Sequence, residues 1–336
     1  MDSCRWRLLA GYFCQPLVVT LDAAPRAAGR FPLKRLLLVL GVVATLYAAA
    51  LLVWGNNLKT PMTVLWSWTG LQAAALCLLN YLLRGVRWRL WMAHYGRHFG
   101  WFEGLRLYLA GYAFTPTPGN IGEAARGLML ARKPLSSAQS LAIFGAERLA
   151  DLICLLLLCL PALGWLLGRS AVREAMQASS GTLTLLLMAV VICMALMLWA
   201  LLHYRERWLE QFAWLREAVQ CLALRPLLWF GLTLIAWAAQ GLALWLLCSA
   251  MGVQLPLLTA MSFYAVAMVA GALSALPAGL GGMEAVLTSL LLAQSAGLTA
   301  AVGITVLTRL LTLWLAVAIG VSAMLYSAAI RKDIQF

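Results

Sequence analysis

The sequence predicts an all-α polytopic membrane protein with six transmembrane helices and two re-entrant hairpins arranged as an inverted repeat. Three observations predict it. The chain is 63% hydrophobic and only 11% charged, against roughly 25% charged in a soluble domain. Apolar runs recur that reach the length of about 20 residues needed to cross a hydrocarbon core. Two further apolar regions, residues 105–130 and 257–294, are broken by Pro/Gly clusters of matching spacing.

Taken in order, residues 1–35 carry several arginines ahead of the first long apolar run and read as a cytoplasmic tail. A secretory signal would also start with Arg5 and Arg7, but the run at 8–21 is short and carries Gln15 and Pro16. Cleavage there would start the mature chain outside and invert the charge rule at every loop. The spans follow at 36–54, 62–83, 140–167, 181–202, 226–251 and 299–326. Basic residues collect at 5–35, 84–97, 132–133, 205–225 and 331–332, whereas the opposite loops hold only Lys59, Arg169 and Arg173. Basic loops face the cytoplasm, which puts both termini inside, as six spans require. The expected location is the inner membrane of a bacterium. The net charge of +13 is accounted for by this rule, and no nucleic-acid partner is expected. A single membrane domain thus runs over 36–328, with 329–336 as a cytoplasmic tail.

Between the fourth and fifth spans, Trp208, Phe212, Leu215, Val219 and Leu222 recur at helical spacing. Charged residues fill the opposite face, so residues 203–225 read as a helix lying on the inner membrane surface. The eight cysteines fall mostly inside apolar runs and form no CxxC pair. They read as small hydrophobes, with no disulfide framework. His94 and His98 share a basic loop and have no acidic neighbour, so no metal and no cofactor are expected.

The two broken regions are copies of one pattern. "PTPGNIGEAARG" at 116–127 and "LPAGLGGME" at 276–284 each contain Pro, then Gly, then a second Gly three positions later, with Glu close behind. Each follows a short apolar segment beginning near a tyrosine, Tyr108 or Tyr264, and each precedes an Arg-Leu pair. Glu123 to Arg148 is 25 positions, and so is Glu284 to Arg309. An offset of 161 is shared by the Glu, the Arg and the Leu, which points to internal duplication. By the charge rule the first copy enters and leaves on the inner side and the second on the outer side. The repeats, about 62–167 and 226–326, are therefore inverted, as in alternating-access transporters. Irregular backbone in a bilayer must be buried or face a wet cavity. Pro118, Gly119, Gly122, Pro277, Gly279 and Gly282 are the expected hairpin-tip positions, because glycine permits the turn and proline removes a backbone donor.

Glu123, Arg126, Glu147, Arg148, Asp151, Glu284 and Arg309 lie in or beside apolar segments. Uncompensated at helix centres they would cost on the order of 20 kcal/mol together, so they must pair or face water. Two readings stay open. The charges either pin the hairpins to the spans, or line a polar path for a charged headgroup.

"PTPGNIGEAARG", "ERLADL", "LPAGLGGME" and "TRLL", in that order, resemble the flippase-like membrane family that includes the transmembrane region of lysylphosphatidylglycerol synthase. The resemblance covers about residues 36–326. It implies translocation of a lipid or lipid-linked phosphate headgroup between leaflets, and a phospholipid or polyprenyl-phosphate lipid as partner. It also suggests a lipid-modifying synthase as a companion protein. Relatives are linked to polyprenyl-phosphate carriers and to hopanoid loci, so the lipid does not carry over. Met283 before Glu284 departs from the family pattern. The sequence ends at Phe336 without an aminoacyl-transferase domain, so lysine transfer is not expected. A membrane-embedded transferase using Glu123, Glu147 or Asp151 as acid and base, or an accessory subunit, are the competing readings. No DxD, HExxH, GxSxG or P-loop pattern supports an enzyme, so no catalytic residue is expected.

Overall fold

The computed structural model describes residues 41, 45, 59–117, 121–127, 134–168, 213–274 and 276–330. All of them belong to one compact unit, Pro32–Phe336. The predicted fourth span, most of the first, Pro118, Gly119, the surface helix before residue 213, the N-terminal tail and residues 331–336 lie outside the described residues.

The regular secondary structure of the described residues is helical, with no strand among them. In chain order the helices are α1 (Lys59–Leu65), α2 (Trp68–His94), α3 (Trp101–Ala110), α4 (Ser137–Gly168), α5 (Ala213–Ala223), α6 (Pro226–Ala250), α7 (Leu257–Leu273), α8 (Gly282–Ala293), α9 (Leu298–Arg309) and α10 (Leu315–Ile330). Two 3-10 turns, Gly111–Phe114 and Ile121–Gly127, follow α3, and a π turn, Leu310–Trp314, joins α9 to α10. Among the described residues two helices are long and apolar enough to cross a membrane, α6 and the continuous Leu298–Ser327. The α1–α2 pair makes a third if its 65° bend is counted as one broken span.

That bend has local causes. The Ser67 hydroxyl donates to the Val64 carbonyl at 2.7 Å and accepts from the Gly70 amide at 3.3 Å, capping the new helix. A Cβ on Gly70 would lie 2.2 Å from the Leu65 carbonyl oxygen, so only glycine lets the two helices turn this tightly. From there α2 runs 27 residues to His94, well past residue 83 where the apolar run stops. It continues because one face stays buried: Cys77, Asn80, Tyr81, Arg84, Arg87, Trp88 and Trp91. The stretch 84–97, expected as a basic cytoplasmic loop, is thus helical for most of its length. His94 and His98 at its end are exposed.

Helix α2 packs along α6, where the Asn80 amide donates to the Ala236 carbonyl at 2.8 Å. The Tyr81 hydroxyl lies 3.0 Å from both the Leu311 and Thr312 carbonyls. Those carbonyls belong to the π turn, where regular helical pairing is interrupted. Helices α7 and α8 form a hairpin. Its turn carries Ala278, Gly279 and Gly281 at φ of 55°, 64° and 83°, the left-handed region that glycine occupies without penalty. Gly279 also needs its size, because a Cβ there would lie 2.9 Å from the Gly271 carbonyl oxygen. Gly282, expected in the tip, is the first residue of α8 instead.

The first broken segment packs on α10, where a Cβ on Gly320 would come within 2.4 Å of the Ala113 amide. Small residues permit such backbone approach between helices in lipid. Helix α5 lies on α4. Its buried residues are Ala218 and Cys221, with Trp214 over Gly145, while Val219, expected on the apolar stripe, is 50% exposed. The small-residue face allows the closest approach to α4, Leu222 packs half-buried against the core, and Val219 points outward. Outward-facing leucines recur along α4 at Leu149, Leu152, Leu156 and Leu160, a continuous apolar surface of the kind that faces lipid.

Candidate functional site

Charge gathers where α2, the Ile121–Gly127 turn, α4 and α6 meet. Glu147, Arg148 and Asp151 occupy one turn of α4, and Asp151 is the hub. Its carboxylate accepts from Arg84 Nη2 and from Arg87 Nη1, each at 2.8 Å. Trp237 Nε1 donates to it at 3.3 Å, and Arg148 Nη2 lies 3.4 Å away. Arg87 Nη1 also reaches the Thr233 hydroxyl at 2.8 Å, and its Nη2 stands 3.9 Å from Glu147.

The hairpin contributes the other half. Arg126 Nη2 pairs with Glu123 at 2.5 Å, and its Nη1 pairs with Glu147 at 3.1 Å. Glu123 further accepts from the Thr115 hydroxyl at 2.9 Å and from Arg148 Nη2 at 3.4 Å. The Arg126 guanidinium sits over the Tyr108 ring, 4.5 Å from its centroid, a favourable cation–π placement. Gly111 makes that possible, because a Cβ there would lie 1.8 Å from Arg126 Nε. The Ser140 hydroxyl donates to the Ala124 carbonyl, tying the 3-10 turn to α4.

The second copy is simpler. Arg309 Nε donates to Glu284 at 2.6 Å, and its Nη2 donates to the Ala278 carbonyl at 3.0 Å. The other carboxylate oxygen of Glu284 accepts from the Gly281 amide at 2.8 Å, capping α8. A left-handed alanine costs about 1–2 kcal/mol, and Arg309 holds the turn at that residue. Met283, where the family pattern is broken, is buried and leaves Glu284 free to reach the arginine.

In both copies, then, the glutamate and arginine 25 positions apart are in contact. All seven predicted site charges are paired; Glu123, Arg126, Glu147, Asp151 and Arg309 are buried, and the Glu284 side chain is 23% exposed. Arg148 is the most accessible, with 30% of its side chain exposed. The expected convergence of Arg148 and Arg309 is not seen as contact: among the described residues no ion pair or hydrogen bond joins the first network to the Arg309–Glu284 pair. Of the tip positions, Gly279 occupies the turn itself and Gly122 lies in the 3-10 turn beside Glu123.

Sequence reasoning missed Arg84 and Arg87, together with Thr233 and Trp237. The signal was present. Cys77, Tyr81, Arg84, Trp88 and Trp91 continue one helical face at i, i+3 and i+4 spacing, so the two arginines follow the buried stripe rather than leaving it. Their inclusion changes the electrostatics. Among the described residues the first network holds four arginines against three carboxylates, and Nε of Arg84, Arg87, Arg126 and Arg148 are buried without a hydrogen-bond partner. A buried excess cation with unused donors favours an anion. The cavity beside Glu123, Arg126, Glu147 and Ser140 is about 10 Å³, room for roughly one water and too small for a headgroup.

Helical secondary structure among the described residues, apolar spans, an outward leucine surface and an ion network held largely inside the helices define an integral membrane protein. It belongs to the family described as the lysylphosphatidylglycerol synthase TM region, which its residues 37–320 match. Membership carries a membrane, lipid-related role. No curated protein matches the chain.

Proposed function

We propose that this protein moves a lipid or lipid-linked phosphate headgroup between the leaflets of a membrane. The observation that carries the reading is the unbalanced network: four buried or half-buried arginines share three carboxylates. Ion pairs that only fix helix register have no need of the extra cation, whose burial is costly unless an anion offsets it. A phosphate supplies that charge, and the arginine fork suits it.

The same reading takes the two Pro/Gly-broken segments as re-entrant hairpins related by inversion, within six spans and with both termini cytoplasmic. The repeated Glu–Arg clasp supports it. One hairpin is held to α4 through Glu123 and Arg148, the other to the end of α9 through Glu284 and Arg309. Each clasp is a bond that a passing phosphate can replace, with Arg148 the most accessible point of attack. The cavity of about 10 Å³ has to widen before a headgroup enters.

The test is leaflet exchange in liposomes carrying the purified full chain. Fluorescent phosphatidylglycerol, phosphatidylcholine and a polyprenyl phosphate are each placed in both leaflets, and the fraction reduced by an impermeant reagent is followed. Protein-dependent exchange of an anionic lipid, lost in Arg84→Gln/Arg87→Gln, is the expected result. Exchange of none of the three, in protein shown to be folded, sinks the proposal.

A further inference from the structure

A second basic feature lies apart from the buried network. At the junction of α2, α3 and α6 there is a cavity of about 220 Å³. Its polar lining is Arg89, Arg97 and His98, its wall includes Trp101, and Leu228 and Leu232 form the apolar side. No carboxylate lines it, and it shares no residue with the ion network.

We propose that this pocket binds the phosphate of an anionic phospholipid from the surrounding bilayer. The first argument is Arg89. Its Nη2 donates to the Phe99 carbonyl at 2.6 Å, and its guanidinium lies 4.1 Å from the Trp101 ring centroid, so the head is fixed. Its Nη1 is buried and has no hydrogen-bond partner. A buried cationic donor left without an acceptor is costly, and with no carboxylate in the lining a phosphate oxygen supplies the anionic acceptor.

The second argument is position. The C-terminal end of α2 and the N-terminal ends of α3 and α6 gather around the pocket, so it sits at the level where helices leave the hydrocarbon. Trp101 and Phe102 are 67% and 90% exposed beside it, and Leu227 is 87% exposed at the start of α6. Exposed aromatics at helix ends mark the headgroup level. A phosphate held by Arg89 therefore leaves its acyl chains running along the outer leucines of α6, and basic pockets between helices at this depth suit anionic headgroups. The third argument is size. A volume below the roughly 300–1,000 Å³ of pockets that enclose whole small molecules fits a phosphodiester whose chains stay in the membrane.

The test uses the full chain in phosphatidylcholine vesicles doped with brominated phosphatidylglycerol or brominated phosphatidylcholine, with tryptophan quenching as the readout. Subtracting the Trp101→Phe protein isolates the signal of Trp101. Brominated phosphatidylglycerol is expected to half-quench it at a mole fraction about thirtyfold lower than brominated phosphatidylcholine, the size of effect two cationic contacts produce. Arg97→Gln and His98→Asp should each remove most of that preference. His98 is exposed and His98→Asp breaks no internal hydrogen bond, so a folding defect does not obscure its result. Equal quenching by the two lipids, or a preference that survives both substitutions, overturns the proposal. So does a Trp101 emission shift on adding inorganic phosphate without preferential quenching by the brominated phosphatidylglycerol, which assigns the pocket to a free anion.

Discussion

Asp151 is where the structure makes its sharpest energetic claim. The carboxylate faces Arg84 and Arg87 at 2.8 Å each, with Arg148 at 3.4 Å and the Trp237 indole at 3.3 Å. Asp151→Asn keeps the shape and removes the charge. An amide oxygen still accepts from one arginine, but the amide nitrogen then points a donor at the other. Breaking a buried ion pair by removing one partner costs about 3–5 kcal/mol. Here the loss leaves four arginines with two carboxylates, so the upper end of that range is expected. The matching double variant, Asp151→Asn/Arg84→Gln, restores the original excess of one cation and gives the new amide a neutral neighbour. It should recover about 1–3 kcal/mol as coupling, the scale found for residues sharing one network. Reversible unfolding in mixed micelles, titrated with a denaturing detergent, reads both numbers. A loss below about 1 kcal/mol for Asp151→Asn, with no coupling to Arg84, would mean that the carboxylate is solvated and the network is not the electrostatic unit described.

Three further outcomes follow from the geometry. Gly111→Ala drives a methyl against Arg126 Nε and should destabilise by about 1–3 kcal/mol as overpacking, and Gly279→Ala should cost about 1–2 kcal/mol for its left-handed backbone alone. Gly41→Ala, with nothing within 4 Å, should not destabilise in the same unfolding titration and should gain up to about 1 kcal/mol from the helix preference of alanine. Arg148→Lys and Arg309→Lys keep charge but lose the fork, and lipid exchange should fall about tenfold, the equivalent of 1.4 kcal/mol, while size-exclusion profiles stay normal. Loss of folded protein in both, rescued by neutralising the paired glutamate, would make these residues purely structural. Cysteines at positions 133 and 294 should label only from the cytoplasm and only from outside, respectively, and label at 133 from outside would make residues 105–130 a true span.

What the sequence determined by itself is what depends on local pattern. Apolar runs have to be buried in lipid or protein wherever they fall, so the helical membrane class was legible from hydropathy. The Glu–Arg spacing of 25 is a one-dimensional trace of a contact, and both copies close it, at 3.4 Å for Glu123–Arg148 and 2.6 Å for Glu284–Arg309. Glycine at 279 was legible because a turn at φ 64° favours it, and the approach to the Gly271 carbonyl oxygen, 2.9 Å from an added Cβ, bars the alanine that position 278 tolerates. Arg84 and Arg87 were not legible as part of the network. Composition marks arginine after an apolar run as a loop residue, and the charge rule reads it as a cytoplasmic flag. Their burial depends on Asp151, more than sixty positions away, and on Thr233 and Trp237 from a third helix. Only the packing of α2 between α4 and α6 decides that an arginine stays inside, because the cost of burying a charge is set by partners that the chain brings from elsewhere.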